Sequence, residues 1–260
     1  MENIMLRPLA VQLYSLRDVA EKDFVGVLKK VADIGYQAVE LAGLWGISPG
    51  EFIKIIDDLG LKMFSSHTPW ARSTDLGEVM ETAGLLRLDK VVCGYGSEDF
   101  EDLDAIRRTA DLTNEMQEIL AQNGLGLFQH NHAFEFERLG GKLKYEIYAE
   151  LCPNVQFQND VFWSTNFGVE NAVEMLNLFA DRTVLIHLKD GLKAKSAKTG
   201  KAEMRALGSG ELDIKAIIAN LPEKVDSIVV ELDYCNIDMI EAIEMSYKYM
   251  IENGLAAGNK

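Results

Sequence analysis

Two rhythms alternate along the chain: short, nearly continuous apolar runs, and longer stretches in which apolar residues return every three or four positions. The short runs predict eight strands, at 9–14, 38–41, 62–66, 90–93, 126–130, 155–159, 184–188 and 228–232. Continuous rather than alternating apolarity is what strands covered on both faces require. Between the runs, Phe24, Val27, Leu28 and Val31 form one helical stripe, and Phe52, Ile55, Ile56 and Leu59 form another. Ser48-Pro49-Gly50-Glu51 opens the second of these helices with an N-cap, an N1 proline and a capping-box glutamate in register. Leu103, Ile106, Ala110 and Leu120 support a longer helix after the fourth strand.

A recurring joint links the two rhythms. A helix ends at Gly35, Gly60 or Gly124 and a short apolar strand starts at once; Asp89 takes the same place before the fourth strand. Glycine closes a helix there because it adopts the left-handed conformation without a Cβ penalty. The repeated unit is βα, and eight such units predict one (β/α)8 TIM barrel, a single domain over residues 1–260. In that fold the chemistry sits at the C-terminal ends of the strands.

Composition narrows the class of partner. With 48% hydrophobic residues the chain can bury a full core, and 26 Lys and Arg against 41 Asp and Glu give a net charge of −15. Such a field repels a phosphate backbone, so no nucleic-acid partner is expected. Cys93, Cys152 and Cys235 are odd in number, far apart and without a CxxC, which suits a reducing compartment. The start lacks a long apolar stretch and no window approaches a membrane span of about 20 apolar residues, so no membrane partner is expected either. The expectation is a soluble cytoplasmic protein, with homo-oligomerisation left open.

The candidate chemistry lies where the apolar runs end. LFQHNHAF carries His130 and His132, VQFQND carries Asp160, VLIHLKD carries His187 and SIVVELD carries Glu231. Imidazole and carboxylate both ligate divalent ions, and a set on neighbouring parallel strands is what such a centre needs. His130 and His132 lie two apart and therefore share a strand face; either is a candidate ligand. The donor set suits Mn²⁺, Co²⁺, Zn²⁺ or Fe²⁺, one ion per chain. His67 in SSHTPW, Glu40 in VEL and Glu135 past His132 are candidate polar contacts for substrate, with Trp70 and Trp163 as candidate apolar walls for a sugar ring. Lys189 is a candidate catalytic group or a structural partner of Asp190. The stretch carrying Lys193, Lys195, Lys198 and Lys201 reads as a hydrated loop, and Gly208-Ser209-Gly210 as a turn that lets backbone approach the barrel mouth.

Together HNHAFEF, DVFW, IHLKD and VVELD, with SSHTP on the third strand, resemble the xylose-isomerase-like TIM barrels described as sugar phosphate isomerases and epimerases. HLKD is also close to the HLND of the apurinic endonucleases of that superfamily. The resemblance implies one divalent ion held by a Glu, Asp, His, Glu quartet from strands five to eight, of which Asp160, His187 and Glu231 match the last three. It implies a sugar or polyol substrate and an isomerase or epimerase that moves a proton beside a carbonyl through an enediolate. One departure stands out: Gln129-His130-Asn131-His132 occupies the place of the first glutamate. The acid-base work would then fall to Glu231 with His132 or His130 opposite. The same site admits two other outcomes, a lyase or dehydratase acting on a keto-sugar or keto-inositol, or a sugar-binding barrel without catalysis.

Overall fold

The computed structural model describes residues 6–197 and 199–260, so Lys198 of the Lys-rich loop lies outside the described residues. Eight parallel strands form the central sheet: β1 (Leu9–Gln12), β2 (Ala38–Leu41), β3 (Lys62–Ser66), β4 (Lys90–Cys93), β5 (Gly126–His130), β6 (Gln156–Asp160), β7 (Thr183–Leu188) and β8 (Ile228–Val230). Their order around the sheet is β3-β2-β1-β8-β7-β6-β5-β4. β3 and β4 close the barrel side by side, and the Ala71 N–H donates to the Val92 carbonyl at 2.8 Å across that seam. Outside it run α1 (Arg17–Ile34), α2 (Pro49–Asp58), α3 (Leu76–Leu85), α4 (Leu103–Gln122), α5 (Lys144–Leu151), α6 (Ala172–Leu178), α7 (Ile214–Ala219) and α8 (Met239–Glu252). This is the (β/α)8 barrel that the alternating rhythms predict.

The departures from expectation are local. β1 stops at Gln12 because residues 13–16 tighten into a 3-10 turn, so Tyr14 leaves the barrel wall. β8 stops at Val230, which puts Glu231 one residue beyond the ladder. The glycine joints behave as expected, with φ of +119° at Gly35, +68° at Gly60 and +76° at Gly124. Before β4 the left-handed residue is Arg87 (φ +56°), not Asp89, whose carbonyl already accepts the Gly126 N–H of the neighbouring strand. On α2 the Ser48 hydroxyl caps the Glu51 N–H at 3.2 Å, and the buried face is Phe52, Ile53 and Ile56, turned slightly from the expected stripe. Leu103 is exposed, since it opens α4 before the helix reaches the core.

Alternation along the strands divides the core in two. Leu9 and Val11, Val39 and Leu41, Ile186 and Leu188, and Ile228 and Val230 belong to one cluster with Phe24, Leu28, Phe52 and Ile243 of the helices. The intervening positions face the barrel interior. Low in the barrel these are apolar, with Ala10, Ala38 and Val229 in one small cluster and Val92, Phe128 and Leu185 in another. One step higher they become Gln12, Glu40, Gln158, His187 and His130, all buried. The barrel is therefore greasy at its base and polar at its mouth.

The loop after β7 is pinned rather than free at its root. Residues Asp190–Leu192 pair antiparallel with Glu203–Arg205. The Asp190 carboxylate accepts the N–H groups of Gly191 (2.8 Å), Gly208 (2.9 Å), Gly210 (2.9 Å) and Leu212 (3.1 Å). The Gly208-Ser209-Gly210 turn thus wraps a side chain of its own chain and presents no open cradle to the mouth. A Cβ at Gly210 would meet Asp190 Oδ1 at 2.1 Å, so glycine is required by contact there. Replacing Asp190 by Ala leaves four N–H groups without their acceptor and should lower unfolding stability by about 3 kcal/mol or more, read by urea titration. Asp190→Asn, which keeps one acceptor oxygen, should cost less. A loss below about 1 kcal/mol in Asp190→Ala would show that water replaces the carboxylate and that the turn is held elsewhere.

Candidate functional site

Four of the sequence candidates converge. His130 ends β5, Asp160 ends β6, His187 lies in β7 in register with Asp160, and Glu231 follows β8. None is more than 4% exposed, and one ligand atom from each lies within 4.8 Å of the others. His67, His130 and His187 form a second, overlapping group at the same spacing. His132 belongs to neither. The strand ends at His130, and beyond it the chain turns outward towards the 3-10 turn Phe134–Phe136, so His132 is 40% exposed, edge-on to His130 and stacked on Phe134. The two histidines share a face and differ in depth.

Side-chain hydrogen bonds hold the carboxylates in orientation. Asp160 Oδ1 accepts the N–H of Phe162 (3.1 Å) and of Trp163 (2.9 Å), which turns Oδ2 towards the interior. The Asp160 N–H donates to Asn131 Oδ1 at 2.9 Å, tying the ends of β5 and β6 together. Lys189 Nζ stands 2.9 Å from Asp160 Oδ2, 2.9 Å from Glu231 Oε2 and 2.7 Å from Asp233 Oδ2. Of the three, Asp233 accepts a hydrogen bond from the ammonium, while Asp160 and Glu231 are ion-pair partners. Lys189 is wholly buried, and its partners are these three and not Asp190.

This charge arrangement sets the protonation states. Burial opposes ionisation of Glu231, yet the Lys189 ammonium and His187 hold its carboxyl well below the usual range. At Asp160 burial wins over Lys189 and raises the carboxyl to about 6. Burial disfavours a charged His187, but Glu40 and Glu231 on either side lift it to about 10. Burial, with His187 and His67 close by, pushes His130 well below its ordinary value, so its ring is neutral. Desolvation and the Lys189 charge bring His132 down to about 4.

The group fits a divalent ion by its unsatisfied atoms. His130 Nδ1, Asp160 Oδ2, His187 Nδ1 and Glu231 Oε2 are all buried without a hydrogen-bond partner. Lys189 and His187 approach the two carboxylate oxygens at ion-pair distance, but not in hydrogen-bonding direction. Buried polar atoms are nearly always paired, and a group of four without hydrogen-bond partners is a place that could hold a cation. Two imidazoles and two carboxylates form a mixed nitrogen and oxygen donor set of the kind Zn²⁺, Fe²⁺, Co²⁺ or Mn²⁺ accepts.

Above the group opens a cavity of about 300 Å³ lined by Tyr14, Ala42, His67, Trp70, His130, His132, Glu231 and Asp233. A second hollow of equal volume, between the loops that follow β6 and β7, holds no such set of buried donors. Trp70 and His67 stand on the cavity wall, their rings 4.5 Å apart. Three other candidates are placed elsewhere. Glu40 is wholly buried beneath the floor. Glu135 is buried behind His132, whose backbone N–H it accepts at 2.9 Å. Trp163 packs on Lys189, Phe162 and Phe167 away from the wall. Of the Lys-rich loop, Lys195 lies over the Phe167 ring, outside the cavity. Tyr14, Ala42, Asp233 and the floor residues Gln12 and Gln158 escaped sequence reasoning. Asp233 carried a usable signal, since it follows Glu231 by two and repeats its face.

No protein-family model matches the sequence, and no curated protein matches it. Solved structures do match along nearly the whole chain. A sugar phosphate isomerase/epimerase from Parabacteroides distasonis superposes with a TM-score of 0.78 at 22% identity, covering 99% of this chain and 98% of its own. The IOLI protein, with a bound zinc atom, superposes at 0.72 and 16% identity, covering 94% and 97%. The probable 3-DHS dehydratase AsbF of Bacillus anthracis, involved in petrobactin synthesis, superposes at 0.70 and 13% identity, covering 94% and 98%. The chain has the fold of the xylose isomerase-like TIM barrels. That is the fold the sequence motifs resemble; the reaction differs among the neighbours. Among the described residues no helix is long and apolar enough to cross a membrane.

The protonation of His187 gives the site a pH signature. With its pKa lifted to about 10, the ring carries both protons at neutral pH, and a cation that takes Nδ1 must displace one. Affinity for added Zn²⁺ should therefore rise between about pH 6 and pH 8, with proton release measured by calorimetry in buffers of different ionisation heat. Proton-neutral, pH-independent binding would remove His187 from the ligand set.

Proposed function

We propose that this protein is a divalent-metal-dependent isomerase or epimerase of a sugar or sugar phosphate, moving a proton beside a carbonyl. The observation that carries the reading is the set of four orphaned donor atoms at the floor of a sugar-sized cavity, beside a half-exposed neutral imidazole. His130, Asp160, His187 and Glu231 would hold the ion. When bound, it supplies a positive charge that acidifies a C–H next to a carbonyl oxygen.

The chain's own residues supply the rest. His132 is the proton carrier best placed to reach substrate, because it lines the cavity and its side chain is 40% exposed. Glu135 fixes the backbone of His132 from behind. Glu231 also faces the cavity and is the second acid-base group, opposite His132, for a reaction that returns the proton to the other face. Trp70 and His67 provide a ring-sized wall that excludes water from one side of the substrate. Lys189, at ion-pair distance from three carboxylates, acts by holding Asp160 and Glu231 in place.

A lyase or dehydratase is the second reading. It is favoured by the probable dehydratase among the structural neighbours and by His132 being a single half-exposed base, since elimination needs one base where epimerisation needs two.

Incubation with a panel of keto sugars and keto-inositols in D₂O with Mn²⁺ or Zn²⁺, followed by NMR, separates these outcomes. Deuterium gain with the carbon skeleton retained is the expected result; loss of water identifies a lyase, and a bound sugar without exchange identifies a binding protein. Asp160→Ala and His187→Ala should lose bound metal by elemental analysis while keeping the wild-type circular dichroism. His132→Gln and Glu231→Gln should each lower turnover by about 10²–10⁴-fold. If both lose less than about tenfold, neither carries the proton and the assignment is wrong.

A further inference from the structure

Beneath the cavity lies a charge the proposed reaction does not touch. Glu40, inside the barrel on β2, is wholly buried, accepts hydrogen bonds from four side chains and stands at ion-pair distance from a fifth, His67. Its Oε1 meets His187 Nε2 at 2.6 Å, His67 Nε2 at 3.1 Å and the Gln12 amide; its Oε2 meets Gln158 Nε2 at 2.6 Å and the Ser65 hydroxyl. An ionised carboxylate has no hydrogen to donate, so every one of these partners must turn a donor towards it.

That constraint propagates upward. Gln158 must give Glu40 its NH₂, which leaves its carbonyl oxygen for His67 Nε2 at 2.6 Å. His67 must then carry its proton on Nε2, and Nδ1 is its remaining acceptor. Gln12 likewise gives its amide N–H to Glu40 and its oxygen to the Tyr14 N–H at 3.1 Å, which sets the turn that brings Tyr14 to the cavity rim. His187 must present Nε2–H downward, which leaves Nδ1 as the nitrogen among His130, Asp160 and Glu231. A neutral amide or a hydroxyl at position 40 would let each partner flip.

We infer that Glu40 is a positioning residue that orients the ring of His187 and fixes the tautomer of His67, committing Nδ1 of the first to the cation group and Nδ1 of the second to accept a hydrogen bond from a substrate hydroxyl. The assignment for His187 rests on the metal reading above; that for His67 does not. Outer partners of this kind change metal affinity by about 10–100-fold when removed.

The test uses protein labelled with ¹⁵N in histidine, as wild type, Glu40→Gln and Gln158→Met, followed by two-bond ¹⁵N–¹H correlation with and without Zn²⁺, and by Zn²⁺ affinity from chelator competition. In wild type, His67 should show a protonated Nε2 and a bare Nδ1, and the Zn²⁺ form should show His187 bound through Nδ1. Glu40→Gln should move His67 towards a mixture of tautomers and weaken Zn²⁺ by about 10–100-fold. Gln158→Met removes the amide between Glu40 and His67 and leaves His67 only its 3.1 Å approach to Glu40, so it should move His67 part of the way towards a tautomer mixture while leaving Zn²⁺ affinity within about threefold. This variant decides the relay should Glu40→Gln not fold. A His67 that keeps Nε2–H in both variants, or a wild type with the opposite tautomer, overturns the inference. A wild type that binds no Zn²⁺ counts against the metal reading, while the His67 spectrum still decides the role of Glu40.

Discussion

Four carboxylates and two cations share the water-poor mouth of this barrel, and the rest of the site follows from that imbalance. Glu40, Asp160, Glu231 and Asp233 are answered by Lys189 and by His187, each at ion-pair distance from its partners. Charges removed from water are tolerated only when paired and hydrogen-bonded. Lys189 gives a hydrogen bond to Asp233 and stands at ion-pair distance from Asp160 and Glu231, and His187 is held between Glu40 and Glu231. The residual negative charge collects where Asp160 Oδ2 and Glu231 Oε2 have no hydrogen-bonded partner. A divalent cation would complete this set, with one nitrogen each from His130 and His187 to hold it.

Much of this was legible along the chain because strand order in a parallel barrel follows sequence order. The apolar runs located β2, β3, β4 and β5 to the residue, and the polar side chains that end β5 to β8 fell on neighbouring strands. What escaped was direction. Whether a residue just past a strand continues its face depends on backbone torsions outside the ladder, which is why His130 sits in the floor and His132 on the rim. Glu40 looked like one more strand-end polar group, but a register shift between Val39 and Glu40 and four strands of interior neighbours turn it into the centre of the barrel. The Gly208-Ser209-Gly210 turn was misread for the opposite reason: its glycines signal close approach, and only the fold reveals that what approaches is Asp190.

Depth also divides the labour among the polar residues. The lowest interior layer is apolar, and the next holds Glu40 together with His187 and His130, so two of the donor rings stand in the layer that Glu40 locks. A side chain in the second layer cannot swing without stranding a buried donor, which costs about 1–3 kcal/mol. His132, above both layers, is the more exposed of the two histidines at the end of β5, with its side chain 40% exposed. Rigid donors below and a freer base above are what proton transfer at a fixed centre requires.

The histidine on β5 and the lysine after β7 belong to one charge balance. His130 contributes a donor nitrogen without a negative charge, since burial keeps its ring neutral. A glutamate in its place would bring a fifth carboxylate to a mouth whose only ammonium among the described residues already faces three. The structure contains an example of what befalls such a group: Glu135, buried just behind His132 with hydrogen bonds but no cation, is pushed up to about 8 by desolvation and keeps its proton at neutral pH. A carboxyl on β5 would face the same choice, either to stay protonated and give up ligation or to draw Lys189 away from Asp160 and Glu231. With an imidazole there, Lys189 can remain on its three carboxylates, and the donor group keeps four members. The departure from the quartet that the sequence resembles is therefore coupled to the buried lysine two residues past His187, and neither position is expected to change alone.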